Sequence, residues 1–293
     1  MKKALIFTLA PLLLSLIWSS CKNDYTATIQ QLESRYAAAP SATIADSLAN
    51  LYRKAVKSHP EKHAENLAYL CRAAELRFTV SEDAVSACRW LDDAIKNHSD
   101  GQAMTAPIGL YARIWAAYLY KKQSAVRLDP DDIDKMKFHL EKNLPWIDSS
   151  LVSLERKMGS AARPDKGFAM QYIETCEAFA DLVQKKQVDK SVDLLMRAGG
   201  LAKTIENPNK ALQLYNHVVD NMPSHAKAPT ALFMTGFIYE NDLGDVEKAR
   251  TVYEGFLKKY PNDPDFTDDA QMALKMLGKS PEEIIKSFEK TLN

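Results

Sequence analysis

The chain has 293 residues, and its 38 basic and 38 acidic side chains give a formal net charge of zero. That balance excludes the basic footprint expected of a nucleic-acid binder. Only 10 glycines, many alanines and leucines and no long alternating stretch predict helices almost throughout, so the core is either one large mass or a continuous one built by stacking like units.

Met1, Lys2 and Lys3 precede an apolar run at 4–17, a positively charged start and a hydrophobic segment of signal-peptide length, too short to span a bilayer permanently. The run ends in Trp18, Ser19, Ser20 and Cys21. Ser19, Ser20 and Cys21 resemble a bacterial lipoprotein signal, in which cleavage leaves the cysteine as a lipid-modified first residue; Trp18 departs from that pattern, where an aliphatic residue is usual. The resemblance implies a signal peptide at 1–20, lipidation of Cys21 and a protein anchored by lipid to the outer membrane. The other reading is an ordinary secretory signal with a chance cysteine. Acyl chains at about 0.8 kcal/mol per buried methylene would hold the protein without any spanning segment. Lys22, in place of an acid, resembles lipoproteins sorted to the outer membrane, and Lys22, Asn23 and Asp24 resemble the export signal of Bacteroidetes surface lipoproteins. The periplasmic face and the cell surface both stay open.

Leu48, Tyr52, Ala55, His59 and Pro60 follow the spacing of Ala249, Tyr253, Phe256, Tyr260 and Pro261 nearer the C-terminus, and Ala87, Leu91, Ala94, His98 and Ser99 repeat it 39 residues on. Helix starts are predicted at Ser81, Glu82 and Asp83 and at Asp129, Pro130, Asp131 and Asp132, where a side chain can cap and acids face the positive helix end. Between 129 and 168 the period is lost. Leu144 and Pro145 end a helix, and Gly159 to Gly167 is the most loop-like stretch of the mature chain. The boundary between an N-terminal helical half, 21–160, with worn repeat-like hairpins, and a C-terminal repeat domain, 161–293, is placed here. Helices at 168–186 and 188–205 lead into the latter.

The clearest pattern is at 231–261. Gly236 precedes Tyr239 by three residues, so a partner helix can approach closely over a residue without a side chain. Gly244 then stops the first helix, Ala249, Tyr253 and Phe256 make the apolar stripe of the second, and Tyr260 with Pro261 closes it. Gly199, Ala211, Tyr215, Val218 and Pro223 repeat the arrangement upstream. Gly278, Ile284 and Phe288 begin a further unit, opened by Ser280, Pro281, Glu282 and Glu283 as a capping box. A motif that recurs with a fixed period signals a solenoid. These positions resemble the tetratricopeptide repeat over 188–293, with Phe256 where a small residue is usual. The implied fold class is all-α, a TPR-like α-α superhelix of stacked helical hairpins. In that family the first helix of each pair lines the binding surface, which implies a partner-binding set of Met196, Lys203, Phe233, Phe237, Glu240 and Asn241. Packing against the preceding unit is the competing account of the two phenylalanines.

Few residues suggest chemistry. Cys71 and Cys88 fall at equal distance from the turn between two predicted helices, so they either form a disulfide or fill a hairpin core. Cys176 has no base beside it and is read as a core residue. His59 and His63 do not make a zinc pair, because Pro60 interrupts the helix that would bring them to one face. No cofactor, metal site or catalytic residue is predicted. Tyr111, Trp115 and Tyr118 share one helix face, which is either a groove for a peptide or sugar or a core stripe.

In tether, size and C-terminal units the chain is similar to periplasmic tetratricopeptide lipoproteins that assist outer-membrane assembly, such as those of the barrel-assembly machinery or the one that works with the Tol system. The resemblance implies a non-enzymatic scaffold whose partners are other envelope proteins or peptide segments. The alternative is a surface lipoprotein that captures a glycan or peptide nutrient, and it needs an exposed aromatic cluster around Tyr111, Trp115 and Trp146.

Overall fold

The computed structural model describes residues 25–99, 104–120, 129–159, 164–280 and 282–283. The leader, Cys21, the Lys22 to Asp24 segment, Pro281, Ile284 and Phe288 lie outside the described residues. Those residues form thirteen helices and no strand. The fold is therefore all-α, of the stacked-hairpin, TPR-like class. No helix among the described residues is long and apolar enough to cross a membrane.

The chain divides into two compact units. The first holds α1 (Thr26–Ala38), α2 (Ala42–Ser58), α3 (His63–Thr79) and α4 (Ala84–His98), with the beginnings of α5 (Thr105–Tyr120) and α6 (Pro130–Lys142). The second takes the rest of α5 and α6 and continues through α7 (Leu144–Met158), α8 (Lys166–Val183), α9 (Val188–Thr204), α10 (Pro208–Asn221), α11 (Ala228–Asn241), α12 (Val246–Lys259) and α13 (Thr267–Met276). Within each unit the strong packing runs between consecutive helices: α1 with α2 through α3 with α4, and α7 with α8 through α12 with α13. Short connections between helices that pack on their sequence neighbours make antiparallel hairpins.

Local chemistry sets the helix starts. Ser41, Asp83, Asp165, Asn207 and Asp245 each accept a bond from a backbone N–H three residues on, capping α2, α4, α8, α10 and α12. Pro145 and Pro208 occupy the first turns of α7 and α10. Pro145 thus opens a helix as well as following one, because α6 ends at Lys142 and a single turn residue separates the two. Ser280 and Glu283 make both arms of the predicted capping box, at 2.8 and 3.3 Å.

Three hairpins turn in the same way. Glu82, Glu206 and Gly244 adopt φ of 52, 61 and 64°, and each is followed by the Asp or Asn that caps the next helix. Only glycine adopts that backbone without steric cost.

The stretch around residue 160, read from the sequence as a domain boundary, connects α7 to α8, which pack on each other inside the second unit. The division between compact units falls in α5 and α6 instead. Gly167, assigned from the sequence to that loop, lies in the first turn of α8, whose Asp165 cap starts the helix earlier than expected.

Candidate interaction surface

The last two complete hairpins are built on one contact. The ring of Tyr253 in α12 lies on Gly236 of α11, so close that a Cβ there would stand 2.6 Å from Cε1, and Tyr215 of α10 lies on Gly199 of α9 with a corresponding 2.7 Å. Both tyrosines are buried. The glycines therefore serve close packing, the role their spacing predicts, and they fix where the remaining residues of α9 and α11 point.

A second contact was not legible from the sequence. The Tyr253 hydroxyl donates to Glu240 Oε2 at 2.8 Å, Tyr172 of α8 donates to Glu155 of α7 at 2.9 Å, and Tyr52 of α2 donates to Glu33 of α1. Three hairpins are thus tied from second helix to first by the same pair of groups. Burial, and then the carboxylate acceptor, push the ionisation of Tyr52 and Tyr253 far above the usual tyrosine range. Glu240 is consequently an internal acceptor on the surface where the sequence placed a partner contact.

The first helices α7, α9 and α11 are joined side by side by ion pairs. Lys190 reaches Asp148 at 2.9 Å and Arg197 reaches Glu155 at 2.5 Å, between α9 and α7. Lys227, at the N-cap of α11, pairs with Asp193 of α9 at 2.5 Å, and His225, in the turn before it, contacts Asp189 of α9 at 3.1 Å. At the other end of the same two helices Lys203 lies 4.9 Å from the Phe237 ring centroid and 3.6 Å from Asp242. Each exposed pair adds little stability by itself, but the set fixes the spacing of neighbouring first helices.

Of the six residues singled out from the sequence, Lys203 and Phe237 are therefore brought together, with Asp242 as a third member that sequence reasoning missed. Asn241 stands exposed beside them and donates to the Phe237 carbonyl at 3.1 Å, and Met196 is half-buried on α9. Phe233 is engaged elsewhere: it stacks on Phe266 at 4.6 Å and packs against Tyr253 and Phe256 in the core shared by α11, α12 and α13. Of the two readings, packing describes Phe233, against the following helices rather than the preceding unit.

Other sequence candidates fall into the interior. Tyr111 is buried and donates to the Cys88 carbonyl at 2.9 Å. Trp115 is buried and donates through Nε1 to Asp181 at 3.0 Å. With both rings covered, the exposed aromatic cluster required for sugar capture is not formed. Cys71 and Cys88 are unbridged, which corrects the disulfide reading: Cys88 faces a small space lined by Tyr111 and Asp132, so equal distance from the turn does not aim the two thiols at each other. Burial pushes both thiols, and that of Cys176, up to about 12, which leaves them poor nucleophiles. His63 contacts the Asn97 carbonyl at 3.1 Å, and its ring lies tilted 5.6 Å from that of His98. Among the described residues no three His, Cys, Asp or Glu side chains gather to hold a metal.

The second unit also contains a buried charge pair. Glu177 of α8 is covered and meets Lys210 of α10 at 2.5 Å. Burial outweighs the attraction of Lys210 and raises the Glu177 carboxyl to about 7. Arg113 of α5 reaches Glu174 on the same helix at 3.2 Å. Helix α8 thus carries three acids, Glu174, Glu177 and Asp181, that act as internal ties.

Residues 230–263, which cover α11, α12 and the turn after it, match the tetratricopeptide repeat family. No curated protein matches the chain by sequence.

Proposed function

We propose, from a chain that carries a tetratricopeptide repeat at 230–263 within a run of similar hairpins, that this protein is a lipid-anchored scaffold of the cell envelope. It binds other envelope proteins and takes part in assembling the outer membrane or envelope. The repeat is a protein-binding module, which supports the scaffold role. The leader ending at Cys21 supports the envelope address and the membrane anchor. The observation that carries the reading is the cluster of Lys203, Phe237, Asn241 and Asp242 on first helices that ion pairs hold side by side. An apolar ring flanked by an ammonium group and a side-chain amide suits an extended peptide with an apolar anchor and a nearby carboxylate or carbonyl. Rigid helices limit the entropy lost on binding.

The alternative of nutrient-glycan capture loses the observation that motivated it, since Tyr111 and Trp115 are buried. The scaffold reading is tested with a photo-crosslinker in place of Asn241, in cells that make the full chain, with protease treatment of intact cells alongside. Envelope proteins should be crosslinked, and Phe237→Ala with Lys203→Gln should reduce that crosslinking by about tenfold or more, as expected for loss of an anchor. A protein that is shaved from intact cells and crosslinks to no other protein would overturn it.

A further inference from the structure

Helix α2 divides its residues between two faces. Ala45, Leu48, Ala49, Tyr52, Ala55 and Val56 are buried. On the other side Asn50, Arg53, Lys54 and Lys57 follow at i, i+3, i+4 and i+7 and line one open groove of about 290 Å³. Other charges of the same unit are closely paired, Arg77 with Asp46 at 2.7 Å and Lys96 with Asp92 at 2.7 Å. Among the described residues no carboxylate pairs with Arg53, Lys54 or Lys57. The Arg53 guanidinium lies 4.8 Å from the ring of buried Trp90, which Arg77 also approaches at 5.4 Å. Lys54 and Lys57 are exposed. Like charges at this helical spacing repel. Three cations on one stripe that have no paired carboxylate among the described residues point to an external anion.

The position of the groove decides which anion. Only four residues lie between Cys21 and Thr26, where α1 begins, and the connection reaches at most about 18 Å when fully extended. On the lipid-anchor reading, from which this inference takes its geometry, α1 and α2 are the first folded hairpin above the headgroups. We propose that the Arg53, Lys54 and Lys57 groove binds the phosphates of an anionic phospholipid bilayer, so that the N-terminal unit is held against the membrane to which Cys21 tethers it. Juxtamembrane basic side chains are attracted to such a surface within a Debye length of it.

The test uses the lipidated full chain on vesicles of phosphatidylcholine alone and on vesicles containing phosphatidylglycerol as well. Acetylation of individual lysines is followed by peptide mass, with Lys248 as the reference. Lys54 and Lys57 should react about tenfold or more slowly on the anionic vesicles, and high salt should restore the rate. Equal rates on both vesicles, with the protein bound to each, would overturn the proposal and leave the tether intact. Protection that appears only in native envelopes would assign the groove to an acidic protein and overturn it equally. Failure to sediment with neutral vesicles would refute the tether instead. In that case sedimentation with anionic vesicles, lost in Arg53→Gln with Lys54→Gln and Lys57→Gln, upholds the groove, and sedimentation with neither vesicle overturns both.

Discussion

The two units build the same helical hairpin with differently distributed volume. In α9 with α10 and in α11 with α12, a tyrosine ring rests on the bare backbone of a glycine. In the first unit Tyr52 and Leu91 take the tyrosine positions of α2 and α4. Ala74 stands as far before Leu91 as Gly236 stands before Tyr253. An alanine and a leucine together fill about the volume that a glycine and a tyrosine do, and cores tolerate such exchanges when total volume is kept. The hairpin therefore depends on the sum across the contact, while a recognisable repeat signature depends on how unevenly the sum is split.

Breaking the uneven pair is expected to have the largest effect. Tyr253→Ala removes a fully buried ring and should cost about 3–5 kcal/mol in a urea titration. Lys210→Met leaves Glu177 covered without its cation and should cost about 3 kcal/mol at pH 8. The loss should shrink at pH 5, where Glu177 is protonated. Gly236→Ala drives a Cβ into the Tyr253 ring and should cost about 1–3 kcal/mol. Because the clash belongs to the pair, Tyr253→Leu should relieve at least half of that cost in a double-mutant cycle, and no relief would show that the ring is not what excludes a side chain.

The units should also differ in their response to pH. Glu177 in the second unit keeps its proton up to about 7 in the fold, against 4.5 in the unfolded chain. The folded state binds more protons over that interval, so this contribution to stability is full below the unfolded value and is lost as pH rises through about 7. In the first unit His98 is held below its usual 6.5 by burial and by His63, against the opposing pull of Asp93. Its contribution is full above 6.5 and is lost as pH falls through the folded value. Denaturation monitored by hydrogen exchange in each unit should show these opposite trends, and Glu177→Gln should flatten one and His98→Phe the other. The smallest effect concerns the shared turn: Glu82→Gly relieves a left-handed backbone and should stabilise the first unit by about 1 kcal/mol.

Much of the helical plan was legible because it is local. The segments 168–186 and 188–205, read from periodicity, correspond to α8 at Lys166–Val183 and α9 at Val188–Thr204. Gly236 announced a close helix approach, because a glycine among apolar helical residues has few other uses, whereas the Tyr253 ring that lies on it emerged only from the structure. Long-range ties were not legible. Glu177, Lys210 and Glu240 have the composition of any solvated helix face, and their burial or bonding depends on a helix one or two elements away. Phe233 was ambiguous for the same reason: its ring is claimed by Phe266, which lies beyond α12 in the chain at the start of α13, and no spacing within α11 encodes that neighbour. Asp242 escaped notice because turn acids are common and its cation, Lys203, lies in a different hairpin.

The recurring tyrosine-to-glutamate bond has a spectroscopic consequence. A buried phenol that also donates to a carboxylate resists losing its proton, first through burial and further through the acceptor, so the hydroxyls of Tyr52, Tyr172 and Tyr253 should ionise only when their hairpins come apart. Alkaline titration of tyrosine absorbance would then resolve into an early class from exposed phenols and a late class that appears with unfolding. Replacing Glu33, Glu155 or Glu240 by Gln, one at a time, would shift a single phenol to an earlier point within the late class, where burial still holds it, giving an optical report on each hairpin without an added label.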